Sequence, residues 1–259
     1  DKATQVVWGI ADFERRYGRR PEGMWLPETA VDLESLDLMA EHGIRFTVLA
    51  PHQAACFRPL AGGDWQPTHG HIDTTRAYLQ RLPSGRSIAV FFYNGPVSHD
   101  VAFADLLTSG ERFAGRLTAA FAPQADHPEL VHIATDGETY GHHRRFTDMA
   151  LAYAVRTLDH WDHVRLTNYG EYLELHPPAF EVDIAENTSW SCAHGVERWR
   201  SDCGCNTGGN PGWHQEWRAP LRQTLDWLRD DVAQLYQDAA GPLVHDVWAA
   251  RDAYIAVIL

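Results

Sequence analysis

Along this chain, short apolar runs with strand character alternate with longer stretches in which apolar residues recur at helical spacing. Thr4 to Tyr17 carries a helical pattern, and Gly23-Met24-Trp25-Leu26-Pro27 reads as a short strand ending in Glu28. Leu33, Leu36, Met39 and Ala40 lie on one helical face behind Asp32, which predicts a capped helix running to His42 and stopped by Gly43. Ile44 to Leu49 is the next strand, ending at Pro51-His52-Gln53, and Ala54 to His71 is polar and turn-rich, a long loop. Ser87 to Tyr93 is a buried strand closed by Asn94-Gly95-Pro96. Helices are expected over Asp100 to Leu107 and Glu111 to Phe121. Leu130 to Thr135 predicts a strand ending at Asp136, Thr147 to Leu158 an amphipathic helix, Val164 to Thr167 a strand, and Glu171 to Leu175 a short helix. Phe180 to Ile184 is the last strand. Glu186 to Trp217 is irregular and rich in Gly, Trp and Cys, and Trp217 to Tyr236 is a long final helix.

This alternation predicts an α/β fold, a parallel sheet with helices packed around it. Glu28, His52, Gln53, Asn94, Asp136, Glu138 and Asn187 each follow the carboxyl end of a predicted strand or run. That edge is the active-site face of parallel α/β folds. One such residue could be a helix cap; several on successive strands point to a site. We expect one catalytic domain over residues 1–259, with 186–217 contributing to the site and 217–259 forming a C-terminal helical part. The chain opens at Asp1 without an initiator Met and closes on the apolar run Tyr254 to Leu259, so the expectation is a fragment truncated at both ends.

Charge and composition narrow the partners. A formal charge of −13 argues against a nucleic-acid binder, which needs a basic face. A neutral oligo- or polysaccharide imposes no such requirement. No apolar run approaches the length of a membrane helix, and no repeat shows itself. Four cysteines, Cys56, Cys192, Cys203 and Cys205, are too few for a disulfide-dense scaffold, which favours a reducing cytoplasm.

Pro27 fixes the backbone immediately before Glu28, the kind of rigid base a covalent nucleophile needs. On spacing alone the plainer reading, a helix-starting acid beside Thr29, has a slight edge. The richest stretch is His132 to His143, where Asp136 and Glu138 alternate after a strand. One carboxylate can then face the site and the other its supporting residues, and close carboxylates raise one another's pKa as a general acid requires. His142 and His143 could bind substrate hydroxyls, or hold a metal with Asp136; a turn with solvated histidines is the weaker reading. Among ten tryptophans, Trp190 and Trp199 suit sugar stacking by position and Trp213 is a third, while most of the others read as core. Cys192, Cys203 and Cys205, with His194 and His214 nearby, could form a zinc site. Cys-x-Cys is not the usual zinc knuckle, and buried, redox-idle thiols are the preferred reading, so no metal ligand and no cofactor is expected.

The motifs together resemble glycoside hydrolase family 57, a group of α-amylases, glucanotransferases and glucan branching enzymes. Trp25-Leu26-Pro27-Glu28 is similar to the segment that ends in the family's nucleophile, and Asp136-Gly137-Glu138-Thr139-Tyr140-Gly141-His142 to the one whose first Asp is the acid/base. Thr188-Ser189-Trp190, with Gly195 and Trp199, resembles the late Ser-Ser-Trp segment of the branching enzymes. Within the group, Glu186 through Trp213 looks closest to a branch with an additional C-terminal domain of unknown function. The resemblance implies an incomplete, seven-stranded (β/α) barrel with peripheral helices and retaining chemistry on α-glucosidic bonds. Glu28 and Asp136 would be catalytic. Trp25, His52, Gln53, Glu138, His142, Trp190 and Trp199 would bind substrate. Two departures stand out. Nothing upstream of Glu28 supplies the family's first strand with its His-x-Pro segment, so that strand is expected to be missing. Thr188 and Ser191-Cys192 replace smaller residues of the branching enzymes.

Retention requires carboxyl groups roughly 5 to 5.5 Å apart. Whether water or a sugar hydroxyl then accepts the glycosyl group, which linkage is cleaved, and the oligomeric state all stay open. Two other readings compete. One is a metal-dependent carbohydrate hydrolase or deacetylase built on Asp136, His142 and His143. The other is a carbohydrate-binding relative without turnover.

Overall fold

The computed structural model of the chain describes residues 1–206 and 208–259; Thr207, within the expected irregular segment, lies outside them. The helices in chain order are α1 Lys2–Tyr17, α2 Leu33–Glu41, α3 Gly95–Phe103, α4 Gly110–Thr118, α5 Thr147–Leu158, α6 Tyr169–Leu175, α7 Arg218–Ala240, α8 Val247–Ala253 and α9 Ile255–Ile258. The strands are β1 Phe46–Leu49, β2 Ala54–Pro59, β3 Gln66–Pro67, β4 Ala77–Arg81, β5 Ser87–Phe92 and β6 Phe180–Ile184. Two compact units result. One comprises Asp1–Arg45, Leu82–Arg86 and Glu186–Leu259, the other Phe46–Arg81 and Ser87–Ala185.

The second unit is built on one six-stranded sheet in the order β1-β5-β4-β6-β2-β3. Its most apolar strand, β5, buries Ile88, Ala89, Val90, Phe91 and Phe92, as a strand covered on both faces must. β5 runs parallel to β1 and antiparallel to β4, and β6 runs parallel to β4 and antiparallel to β2. The buried Glu181 of β6 ties its neighbours together, pairing with Arg81 of β4 at 2.6 Å and with Arg58 of β2. Asn94, Ser109 and Asn168 cap α3, α4 and α6 by accepting the N–H of Val97, Arg112 and Glu171. Ala150, Ala154 and Leu158 of α5 recur every fourth residue and pack with Phe113 and Ala114 of α4 and Val101 of α3. Close approach is enforced at Gly110, where a Cβ would lie 2.6 Å from the Tyr153 ring and 2.8 Å from the Ala150 carbonyl.

The expected seven-stranded barrel is not what the described residues form. Three of the five pairings in this sheet are antiparallel, and β1 and β3 remain its open edges, whereas a (β/α) barrel closes a ring of parallel strands. The loop expected over Ala54 to His71 contains β2 and β3, and β4 had no sequence signal. Expected strands at Leu130–Thr135 and Val164–Thr167 are absent from the sheet. The first of these spends its polar groups on scattered partners instead of a ladder: Leu130 N–H on Thr75 O, His132 O on Asn94 N–H, and Ala134 N–H on Ser98 Oγ, at 2.8, 2.9 and 3.1 Å.

In the first unit, α1 buries Val6 and Ile10 and α2 buries Leu36 and Met39. Asp32 caps α2 as expected, accepting Ser35 N–H at 2.8 Å. α8 is joined to α1 by polar contacts. Thr4 Oγ1 donates to Asp252 Oδ1 at 2.5 Å, Trp8 Nε1 to Asp252 O at 3.1 Å, and Arg251 to Asp1 at 2.9 Å. Among the described residues, no helix is long and apolar enough to cross a membrane.

Candidate active site

Glu28 stands in a strained turn. Gly23–Pro27 forms no strand; Pro27 opens a 3-10 turn through Thr29, and Glu28 and Thr29 both take left-handed backbone, φ 58° and 50°. Neither is glycine, so surrounding structure has to hold the conformation. The irregular segment after β6 does so. Val31 N–H donates to Thr188 O at 3.0 Å, Asn187 N–H to Val31 O at 2.8 Å, and Trp190 N–H to Glu28 O at 3.1 Å. The same segment reaches the side chain: Trp190 Nε1 donates to Glu28 Oε2 at 3.0 Å and Ser191 Oγ donates to the same oxygen. Trp25 packs edge-on against Trp190, with ring centroids 5.1 Å apart. The segment is itself tightly folded. Ser189, fully buried, donates to Gly195 O at 2.7 Å, and Arg198 donates to Ser191 O at 2.8 Å. Gly195 has φ 80°, and a Cβ there would meet the Asn187 carbonyl at 2.3 Å, so only glycine fits.

Asp136 belongs to the second unit, where it opens a 3-10 turn, Gly137–Thr139, with extended backbone. Asp136, Glu138 and His142 are exposed on this turn. Glu138 O accepts the N–H groups of His142 and His143 at 3.2 and 2.9 Å, and Thr147 Oγ1 braces the turn by accepting Gly141 N–H and donating to Thr139 O. Behind Asp136, His132 is buried. Its Nε2–H donates to Thr74 O at 3.1 Å and its Nδ1 accepts the Tyr169 hydroxyl at 2.9 Å, which fixes a neutral tautomer. Burial pushes the pKa of His132 down to about 4 and that of Tyr169 up. In the same unit His52 is exposed on a 3-10 turn, Pro51–Gln53, while Gln53 is fully buried and accepts Ala50 N–H at 2.8 Å.

Trp199, in the first unit, ends a 3-10 turn and is 40% exposed. Trp213 is exposed. The cysteines after Trp190 converge. Side-chain donor atoms of Cys192, His194, Cys203 and Cys205 all lie within 4.8 Å of one another. Burial disfavours the Cys192 thiolate, but the N–H groups of His194 and Arg198 and the thiols of Cys205 and Cys203 outweigh it and bring its pKa to about 7. His214 and Cys56 are not in the group.

The sequence model described as Glycosyl hydrolase family 57 matches residues 1–185. The chain belongs to glycosyl hydrolase family 57. A second model, a domain of unknown function (DUF3536), matches residues 213–259, which hold α7, α8 and α9 of this family member. No curated protein matches the chain by sequence. Among solved structures, an exo-type maltose-forming amylase from Pyrococcus sp. ST04 is similar over 98% of this chain and 46% of its own, with 15% identity and a TM-score of 0.69. A branching enzyme from Pyrococcus horikoshii is similar over 80% of this chain and 46% of its own, with 17% identity and a TM-score of 0.59. A branching enzyme from Thermococcus kodakaraensis, in complex with glucose, covers 85% of this chain and 49% of its own at 19% identity and a TM-score of 0.58. The chain therefore spans less than half the length of these relatives. At such identities the likeness concerns the fold.

For this family 57 chain, sequence reasoning missed two groups. Ser191 is a partner of Glu28, and its signal was adjacency to Trp190 in the Thr188-Ser189-Trp190 segment. His132 is the buried base of the Asp136 segment, and a lone histidine in an apolar run carries no signal of its own. The deacetylase reading loses its geometric support. Among the described residues, Asp136, His142 and His143 do not gather their donor atoms into a metal-holding group.

Proposed function

We propose that this family 57 chain carries the catalytic carboxylates of a retaining hydrolase or transglycosidase of α-glucans, with Glu28 as nucleophile and Asp136 as acid/base. The observation that carries this reading is the hold on Glu28. Two donors converge on one carboxylate oxygen, Oε2, in a backbone conformation that only surrounding contacts maintain. Such a hold presents Oε1 to an anomeric carbon with little freedom to rotate away. Asp136, exposed on its turn, protonates the departing glycosidic oxygen and then takes a proton from water or from a sugar hydroxyl, giving hydrolysis or transfer. Trp25 and Trp190 offer aromatic faces to pyranose rings beside Glu28, and Trp199 extends that role. Glu138, His142 and His52 complete the substrate-binding set; Gln53, fully buried with its Oε1 accepting Ala50 N–H, instead holds the turn that carries His52. Family membership supports the enzyme class. An amylase, branching enzymes and a 4-alpha-glucanotransferase share the fold, which makes an α-glucan the substrate class inferred here.

Glu28→Gln keeps shape and hydrogen bonding but removes the anionic nucleophile. Turnover of linear α-glucan by the full-length protein should fall by roughly a thousandfold or more, with folding preserved. Glu28→Gly with added azide should regain part of the rate and yield a glycosyl azide of inverted configuration. Near-normal turnover by Glu28→Gln would remove the assignment.

A further inference from the structure

The convergence of Cys192, His194, Cys203 and Cys205 has no part in the chemistry proposed above. Three of its donor separations are close to those of a tetrahedral metal site, and all its donor atoms lie within 4.8 Å of one another. Zinc bonds of about 2.3 Å to sulfur and 2.0 to 2.1 Å to nitrogen place neighbouring ligand atoms roughly 3.5 to 3.8 Å apart. Here Cys192 Sγ lies 4.0 Å from Cys203 Sγ and 3.9 Å from Cys205 Sγ, and Cys205 Sγ lies 3.5 Å from His194 Nδ1. The thiols are unpaired by disulfides, and each sulfur separation is far beyond the S–S bond length of about 2.05 Å. The surroundings suit thiolates. The N–H groups of His194 and Arg198 point at Cys192 Sγ, and Arg218 Nη1, at the start of α7, lies 3.8 Å from Cys203 Sγ. A guanidinium there offsets the excess negative charge of three thiolates around a divalent ion. The Cys205 carbonyl is held by Gln215 Nε2 at 2.5 Å, so the loop that presents the last ligand is fixed from outside the cluster.

We infer that Cys192, His194, Cys203 and Cys205 bind one zinc ion, a closed structural site that pins the segment holding Glu28. Four protein ligands, three sulfurs and one imidazole nitrogen, suit zinc and leave no open position for catalysis. The consequence for the catalytic segment follows from chain connectivity. Cys192 directly follows Ser191 and Trp190, the two residues that donate to Glu28 Oε2. Arg198, which donates to Ser191 O, lies between the two halves of the ligand set. This last step rests on the Glu28 reading; the metal site does not.

The test uses metal content first. Purified full-length protein should contain about one zinc per chain, and titration with an organomercurial in the presence of a zinc indicator should release it as thiols are consumed. Cobalt substitution should give a thiolate-to-cobalt charge-transfer band and the intense visible bands of tetrahedral coordination. Cys203→Ser and Cys205→Ser should lower the zinc content at least tenfold, while Cys56→Ser leaves it unchanged. Wild-type protein without zinc after growth in zinc-replete medium would overturn the proposal, as would a disulfide among these cysteines or an octahedral cobalt spectrum. These outcomes do not depend on activity, so a failure of the Glu28 reading leaves them intact.

Discussion

The carboxylate of Glu28 has two neighbours whose only shared feature is a hydrogen aimed at the same oxygen. Trp190 brings an indole N–H at 3.0 Å and Ser191 a hydroxyl, and both come from a segment more than 160 residues along the chain. A hydrogen bond to a charged group contributes about 1.5 to 3 kcal/mol, so removing either donor should lower kcat on α-glucan roughly tenfold to a hundredfold. Trp190→Phe keeps a ring against Trp25 but removes the N–H together with part of the aromatic surface, whereas Ser191→Ala deletes only the hydroxyl. Both should leave the circular dichroism spectrum unchanged, and Ser191→Ala should affect kcat more than KM, because its hydroxyl positions the proposed nucleophile. If both variants turned over at the wild-type rate, Glu28 would not depend on this hold. The left-handed backbone at Glu28 and Thr29 costs roughly 1 to 2 kcal/mol per residue, and the bonds from Thr188 and Asn187 to Val31 offset it.

At the scale of elements, the Asp136 segment hangs on His132 in place of a strand ladder. Its pKa is depressed to about 4 by burial, against about 6.5 in an unfolded chain. The folded state therefore favours neutral His132, and below pH 6.5 the unfolded chain takes up a proton that the folded one resists. Stability from this residue is complete above about pH 6.5 and is lost as pH falls toward about 4, amounting to about 3 kcal/mol. Denaturant melts should show wild type losing this much more than His132→Gln across that window; parallel curves for the two proteins would exclude the effect. Sequence periodicity gave no hint of this arrangement. Where side chains decide an element locally, the chain was legible: Asp32 sits at the cap of α2, α5 spans Thr147–Leu158 as expected, and β5 follows the apolar run after Ser87. β2 and β4 were not legible, because Ala54–Pro59 and Ala77–Arg81 mix small, polar and charged residues, and both strands pair with β6 far along the chain. The candidate site was half legible. Motifs brought out Glu28, Trp25 and Trp190, whereas Cys192, Cys203 and Cys205 with His194 were visible as a possible set whose Cys-x-Cys spacing disfavours the usual zinc knuckle.

For the molecule as a whole, a formal charge of −13 bears on which polymer it meets. A neutral α-glucan feels no long-range force from that charge, so its encounter rate is set by diffusion and orientation. Raising salt from about 0.02 M to about 0.5 M shortens the screening length from roughly 20 Å to roughly 4 Å. Across that range kcat/KM on linear α-glucan should change less than about twofold. A carboxymethylated glucan carries the same sign as the protein, so its lower initial rate should rise steadily with salt as the repulsion is screened. The two substrates run side by side separate electrostatics from any general effect of salt on folding or on the two compact units. A steep fall of kcat/KM with salt on the neutral glucan would be inconsistent with a neutral substrate meeting an acidic protein. A polyanion faster than the neutral polymer at low salt would mean that a local basic surface recognises charge, and the substrate class would then have to be sought among acidic polysaccharides.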